Sequence, residues 1–250
     1  MDAQPRLVVE ASEVKALVLL LCVVGAGCSQ REPGSLPGFP RIMLWAWERP
    51  EDLRFIDPAY VGVAYLAGTV TLQANQADWR PRMQPLRIPP GTALMAVVRL
   101  ESGGEPGGSA TQVAELISGT SRNAGVSALQ IDYDARLAER AFYRELVNDV
   151  RAGIPRTMPL TITALVSWCA SDTWISNLPV DAAVPMFFRM GSEKLMRQAK
   201  LRSALCAGNT GISTDELQQV KLAHRVFLFN PRPWTEGNFQ AALHEVNRWQ

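Results

Sequence analysis

The stretch Val126-Ser-Ala-Leu-Gln-Ile-Asp-Tyr-Asp134 carries the residues best suited to chemistry in this chain. Read as a strand, it places Leu129, Ile131 and Tyr133 on one face and Ala128, Gln130, Asp132 and Asp134 on the other. Two carboxylates at the end of one strand can divide acid–base work, one holding a proton while its neighbour stays charged. A polar side chain directed into an apolar interior costs about 1–3 kcal/mol unless it is hydrogen-bonded or used. The bland alternative is that both aspartates cap loops or pair with arginines.

The ends of other apolar runs add groups to the same rim. Glu48 and Arg49 follow the run Ile42–Trp47, and Arg99 and Glu101 close Ala93–Leu100. Ser167 and Trp168 follow Leu160–Val166, and Arg189 follows Val184–Phe188. Asp215 and Glu216 come after Thr210–Thr214; Asn230 and Arg232 end Arg225–Asn230. The candidate acids to work with Asp132 and Asp134 are therefore Glu48, Glu101, Asp215 and Glu216. Arg99 shares a face with Met95 and Val97, where its charge would keep nearby carboxylates ionised. Trp45, Trp47, Trp168 and Trp234 fall at or near strand ends, and an indole face stacks well on a sugar ring. With Arg99, Gln130, Arg189 and Asn230 they form the expected substrate-binding set. Taken singly, each reads better as surface charge or ordinary packing; their agreement in position is what carries weight.

Several chemistries have no support. His224 and His244 are the only histidines, so no His-rich metal site or H-E-x-x-H exists, and neither metal nor cofactor is expected. No G-x-S-x-G elbow occurs, and Ser167 lacks an obvious histidine partner. The loop Gly103–Gly108 lacks the Lys-Ser/Thr of a phosphate loop; its glycines suit a mobile lid.

The elements that must position these groups are eight short apolar runs: the six already named, Val61–Tyr65 and Val126–Asp132. Helical patterns lie between many of them, clearest at Ser109–Asn123, Leu137–Ala152, Glu193–Leu205 and Glu236–Trp249. Weaker ones fall at Pro50–Ile56, Ser171–Asn177 and Asp215–Leu222. Ser109 and Thr235 are suited to N-caps, and Gly125 and Gly153 to helix stops. Alternating strands and helices predict parallel βαβ units. Eight strands in about 210 residues predict an α/β fold, a small (β/α)8 TIM-type barrel over residues 41–250. Its second βα unit is irregular, because 68–88 holds no good helix and an extra strand at Thr69–Gln73 with a loop replaces it. An open doubly wound sheet is the rival.

Before the barrel, Ala16–Gly27 is an uncharged run that would span roughly 18 Å as a helix, too short for a bilayer core of about 30 Å. It follows Lys15 and ends in Gly25-Ala-Gly-Cys28, which resembles a lipobox although Gly25 stands where Leu is usual. Residues 1–27 are read as a lipoprotein signal with Cys28 as the lipidated residue. A start at Val14 from a GUG codon would make a regular signal, so 1–13 are read as a misplaced start. Ser29 predicts passage to the outer membrane, facing the periplasm. Residues 28–40, rich in Pro, Gly and Ser, read as a flexible tether. Residues 1–27 carry a net −1 (Arg6 and Lys15 against Asp2, Glu10 and Glu13), so the chain's +1 becomes about +2 without them. That near-neutral balance argues against a nucleic-acid partner. Cys169 and Cys206 remain, and in an oxidising envelope they are expected to pair.

Trp45-Ala-Trp47, Leu129-Gln-Ile-Asp-Tyr-Asp-Ala135, Pro185-Met-Phe-Phe-Arg-Met-Gly191 and Gly211-Ile-Ser-Thr-Asp-Glu216 together resemble a bacterial envelope family catalogued as domain of unknown function 3142. That resemblance implies fold and location but no activity. A fainter similarity is to chitinase-like glycoside hydrolases, whose fourth strand carries Asp-x-x-Asp-x-Asp-x-Glu. Asp132 and Asp134 match the later aspartates, while Leu129 and Arg136 replace the first aspartate and the terminal Glu. Since that Glu is the family's proton donor and Arg cannot be, either another strand end supplies the acid or the barrel binds without cleaving. The expected function is an envelope lipoprotein with a glycoside-hydrolase-like barrel acting on or binding a carbohydrate. The alternative is a non-catalytic glycan-binding or protein-interaction lipoprotein.

Overall fold

A computed structural model describes residues 32–249 apart from 74–75, 104–107 and 218–219, with only the backbone at 192–195. The expected signal 1–27, Cys28 and the tether up to Arg31 lie outside the described residues, as does most of the loop 103–108. Eight parallel strands close into a ring: β1 (Ile42–Ala46), β3 (Val61–Gln73), β6 (Leu94–Ser102), β7 (Val126–Asp132), β8 (Leu160–Leu165), β9 (Ala182–Met186), β10 (Asn209–Ser213) and β11 (Arg225–Phe229). Closure comes at β1, where Ile42 lies opposite Val61 of β3 on one side and Val226 of β11 on the other. The chain is an α/β barrel of TIM type. Strands covered on both faces must be apolar almost continuously, which is why these segments read as runs rather than alternations.

Three helices pack outside by apolar stripes at helical spacing. Helix α1 (Ala110–Gly119) buries Ala110, Val113, Ala114 and Ile117; α2 (Arg140–Gly153) buries Tyr143, Leu146, Val147 and Val150. Each large apolar side chain so buried contributes about 1.5–3 kcal/mol. Ser109 caps α1 by accepting from the Gln112 N–H at 3.1 Å, and Thr235 caps α3 (Glu236–Arg248) through the Asn238 N–H at 3.2 Å.

Four expected helices are different. Pro50–Ile56 contains β2 (Glu51–Asp52), which pairs in parallel with β5 (Leu86–Arg87) and spends its backbone donors there. Ser171–Asn177 is broken by Thr173 at φ +50°, leaving a π turn before it and a 3₁₀ turn after it. In place of Glu193–Leu205 stand two 3₁₀ turns, Gly191–Gln198 and Ala204–Cys206. Between them Arg202 and Ser203 donate their N–H groups to the Cys169 carbonyl at 2.7 and 3.1 Å, and the Cys169–Cys206 disulfide fixes the chain. Asp215–Leu222 is a turn where described, the Glu216 N–H bonding back to Ser213 at 3.2 Å.

The second βα unit has no helix. Thr69–Gln73 is not a separate strand but the upper half of β3, continued past an irregularity between Leu66 and Gly68. The added strand is β4 (Gln76–Pro81), antiparallel to that upper half.

The barrel interior is filled by Met43, Trp45, Met95, Val97, Val184 and Phe227, with Ala64, Ala128 and Ala182 between them. Leu36, from the segment 32–40, closes its N-terminal end at 1% exposure. The described part of the expected tether is thus packed on the barrel floor, and the domain reaches back before residue 41. Gly34, at φ +84°, donates to the Asp181 carbonyl at 2.8 Å, and a Cβ there would strike the Ala204 carbonyl at 2.7 Å.

Candidate functional site

The site begins with how Trp45 is seated. Its indole points up from β1 inside the barrel, and Gly211 on β10 leaves room: a Cβ there would meet the ring at 2.8 Å. The indole N–H donates to Gln130 Oε1 at 2.8 Å, and Gln130 Nε2 donates to Thr161 Oγ1 at 3.2 Å. Gln130 is fully buried, so its inward direction serves to hold Trp45 level rather than to meet a ligand. A buried polar pair of this kind must be satisfied or it costs stability.

Above Trp45 a pocket of about 590 Å³ opens at the C-terminal ends of the strands. Trp47, Arg99, Glu101, Asp132, Asp134, Phe188, Arg189 and Phe229 line it. Active sites of this fold occupy that end because side chains from several strand ends converge there. Leu129, Ile131 and Tyr133 lie in the outer core against the helices, and Asp132 and Asp134 reach the pocket from the same strand end.

Asp132 is half-buried and accepts from the Thr163 hydroxyl at 2.7 Å. Burial, then the charge of Asp134, pushes its pKa up to about 6, against the pull of Thr163 and of Arg99. Asp134 is exposed to the pocket mouth. The two carboxyls therefore differ in environment although they share a strand end. Beneath them Tyr143 is fully buried, 5.2 Å from the Tyr133 ring, and burial raises its pKa well above the ordinary value.

The opposite wall is aromatic. Phe188 and Phe229 stack in parallel at 5.6 Å, Trp47 meets Phe229 edge-on at 6.0 Å, and Trp45 meets Phe188 edge-on at 6.1 Å. Arginines lie over two of these rings: Arg99 at 6.0 Å from Trp47 and Arg189 at 5.2 Å from Phe229. Arg189 has φ +51°, a left-handed conformation that costs a non-glycine residue about 1–3 kcal/mol. Glu216 holds it there, both carboxylate oxygens accepting the Arg189 N–H at 3.2 and 3.1 Å, while Arg197 pairs with Glu216 at 3.4 Å.

Of the sequence-derived set, Trp45, Trp47, Arg99, Glu101, Asp132, Asp134 and Arg189 meet in the pocket, and seven do not. Glu48 pairs with Arg80 at 3.1 Å outside it. Asp215 is turned to the Ser213 hydroxyl, and Glu216 supports Arg189 from behind. Trp168 is buried in the outer core, edge-on to Trp174 at 5.1 Å, because the chain leaves β8 in a π turn. Trp234 is buried against Phe239 and donates to the Trp45 carbonyl at 3.0 Å. Asn230 is buried, accepting from Thr214 at 2.7 Å and donating to the Pro233 carbonyl at 3.3 Å. Gln130 lies beneath the floor. Glu101, which does line the pocket, pairs with Arg99 at 3.0 Å. Among the described residues no cluster of His, Cys, Asp or Glu could hold a metal ion.

Sequence reasoning missed Phe188, Phe229 and the buried Glu139. Glu139 accepts the Ser102 hydroxyl and the Arg136 N–H, the latter at 2.7 Å, beside the Tyr133 hydroxyl, whose pKa burial pushes up to about 12. The phenylalanines could have been found by the alternation that placed Asp132: each is two residues from an inward position on its strand. Glu139 carries no such signal, since it reaches the pocket from a helical turn.

The chain matches no family model, no curated protein and no solved structure. Its function has to be read from the pocket.

Proposed function

We propose that the barrel mouth binds a carbohydrate and acts on it in the manner of a glycoside hydrolase. The observation that carries this reading is a pair of unlike carboxyls, Asp132 and Asp134, facing an aromatic wall in one pocket at the C-terminal end of the barrel. A pocket of this size takes a sugar residue or two, and Trp47, Phe188 and Phe229 supply an apolar aromatic lining against which a sugar can pack. Glu48, Glu101 and Glu216 are each paired with an arginine, which leaves Asp132 as the carboxyl suited to carry the proton. Asp132 would protonate the glycosidic oxygen, and Asp134 would stabilise the positive charge that develops on the sugar.

The pairing of those three glutamates also favours a second reading, in which the pocket holds a glycan without cleaving it. The two part on a panel of envelope and plant-type glycans. If the first holds, wild type cleaves at least one glycan, and Asp132→Asn or Asp134→Asn lowers the rate about 10²–10⁴-fold while binding persists. Binding without turnover by the wild type supports the second reading. Full cleavage by Asp134→Asn removes that residue from the mechanism.

The protein is further proposed to be a lipoprotein held through Cys28 at the outer membrane, with no nucleic-acid partner. The apolar run before Gly25-Ala-Gly-Cys28 and the near-neutral charge support this. Among the described residues no helix is long and apolar enough to cross a membrane. Cys28→Ser should move the protein from the membrane to the soluble fraction and remove the mass of the lipid. An unchanged fractionation and mass would refute the anchor.

A further inference from the structure

The acid–base pair leaves Arg189 without a task. Its backbone is strained, Glu216 and Arg197 hold it so, and the result is a guanidinium over Phe229 in the pocket wall. No carboxylate or carbonyl among the described residues accepts from its side chain. The other lining arginines are placed differently: Arg99 is neutralised by Glu101, and Arg136 lies two residues from Asp134 on the acidic side. Nor is Arg189 the counter-ion of Asp132, because the cation acting on that carboxyl is Arg99. Among the described lining residues the pocket is thus polarised, with Glu101, Asp132, Asp134 and Glu139 on the β6–β7 side and Arg189 the one charged group among Met186, Phe188, Met190 and Gly191 on the β9 side.

We infer that Arg189 is an anion-recognition group and that the ligand is an acidic glycan, its carboxylate or sulfate held by this guanidinium while the sugar ring reaches toward Asp132 and Asp134. The inference rests on the carbohydrate reading and narrows it. A guanidinium offers five N–H donors in a planar fork that matches an oxyanion, and stacking on a ring fixes that fork while leaving the donors for a ligand. Glu216 is a positioning residue: it bonds to the Arg189 backbone and touches no ligand.

The test uses the full chain on an array of neutral, carboxylated and sulfated oligosaccharides, followed by calorimetric titration of the best-bound glycan. The bound glycans should be acidic ones, and the carboxylated and sulfated arms identify which anion is read. Arg189→Gln should weaken the acidic ligand about ten- to hundredfold and leave neutral analogues unchanged. Arg189→Lys should fall between. Arg189→Gly, which suits the left-handed backbone, should melt no lower than wild type yet lose the preference for acidic glycans. Binding of neutral glycans in preference, or equal weakening of neutral and acidic ligands by Arg189→Gln, overturns this inference and leaves the carbohydrate reading standing. If no glycan of any class binds, both fall together.

Discussion

At the N-terminal end of the barrel Arg225 is 5% exposed and gives its donors to the Pro40, Leu36 and Phe39 carbonyls at 2.8, 2.9 and 2.8 Å. At the C-terminal end Arg189 is exposed, rests on a ring and, among the described residues, donates to no protein oxygen from its side chain. The carboxylates differ likewise. Asp181 near the floor accepts the Leu160 N–H at 2.8 Å and pairs with Arg151 at 3.4 Å, whereas Asp132 at the mouth has its charge disfavoured by burial and by Asp134. The same residue types fasten one end and are left under electrostatic tension at the other. Polar groups matched by the fold serve stability, and those the fold leaves in want of a partner mark where a ligand belongs.

The sharpest way to break that contrast is at the floor. Arg225→Leu strips the donors from three carbonyls and frees the segment that Leu36 plugs into the barrel. Hydrogen bonds from a charged group contribute about 1.5–3 kcal/mol each, and they do not add fully, so the expected loss is about 3–5 kcal/mol in urea denaturation. Ligand affinity at the mouth should be unchanged in the protein that remains folded. A loss below about 1 kcal/mol, or a parallel loss of affinity, would mean that the two ends are not divided in this way.

How much of this was legible beforehand follows from the same division. The eight strands were readable because burial on both faces writes itself as apolar runs, and the inward set on β7 because alternation is strict there. Trp168, Asn230 and Trp234 were misplaced because lying just past a strand end does not say which way the chain then turns. The π turn after β8 carried Trp168 into the outer core, and Asn230 was consumed by Thr214 and Pro233. Glu216 was legible as an acid near the rim, but not as the clamp on Arg189, since that bond joins segments 27 residues apart. The segment 32–40 has a linker's composition, and only its partners Arg225, Asn209 and Asp181 make it part of the barrel.

A smaller effect, of opposite sign, is expected at the mouth. The Asp132 pKa stands at about 6 in the folded protein against 3.8 for the free side chain. Between those values the folded state keeps a proton that the unfolded state has released, so stability falls as pH rises through the window and levels off above it. Asp132→Asn removes this dependence while its amide oxygen can still accept the Thr163 hydroxyl. Relative to wild type, the variant should match at pH 4 and gain about 2–3 kcal/mol by pH 7.5, from two pK units at about 1.4 kcal/mol each. Asp134→Asn should shift the wild-type transition to lower pH, because it removes the second cause of the raised pKa. Paired melts at pH 4 and 7.5 measure both. If Asp132→Asn were no more stabilising at the higher pH, the carboxylate would be as well matched as Asp181, and the mouth would lose its claim to be the end that awaits a ligand.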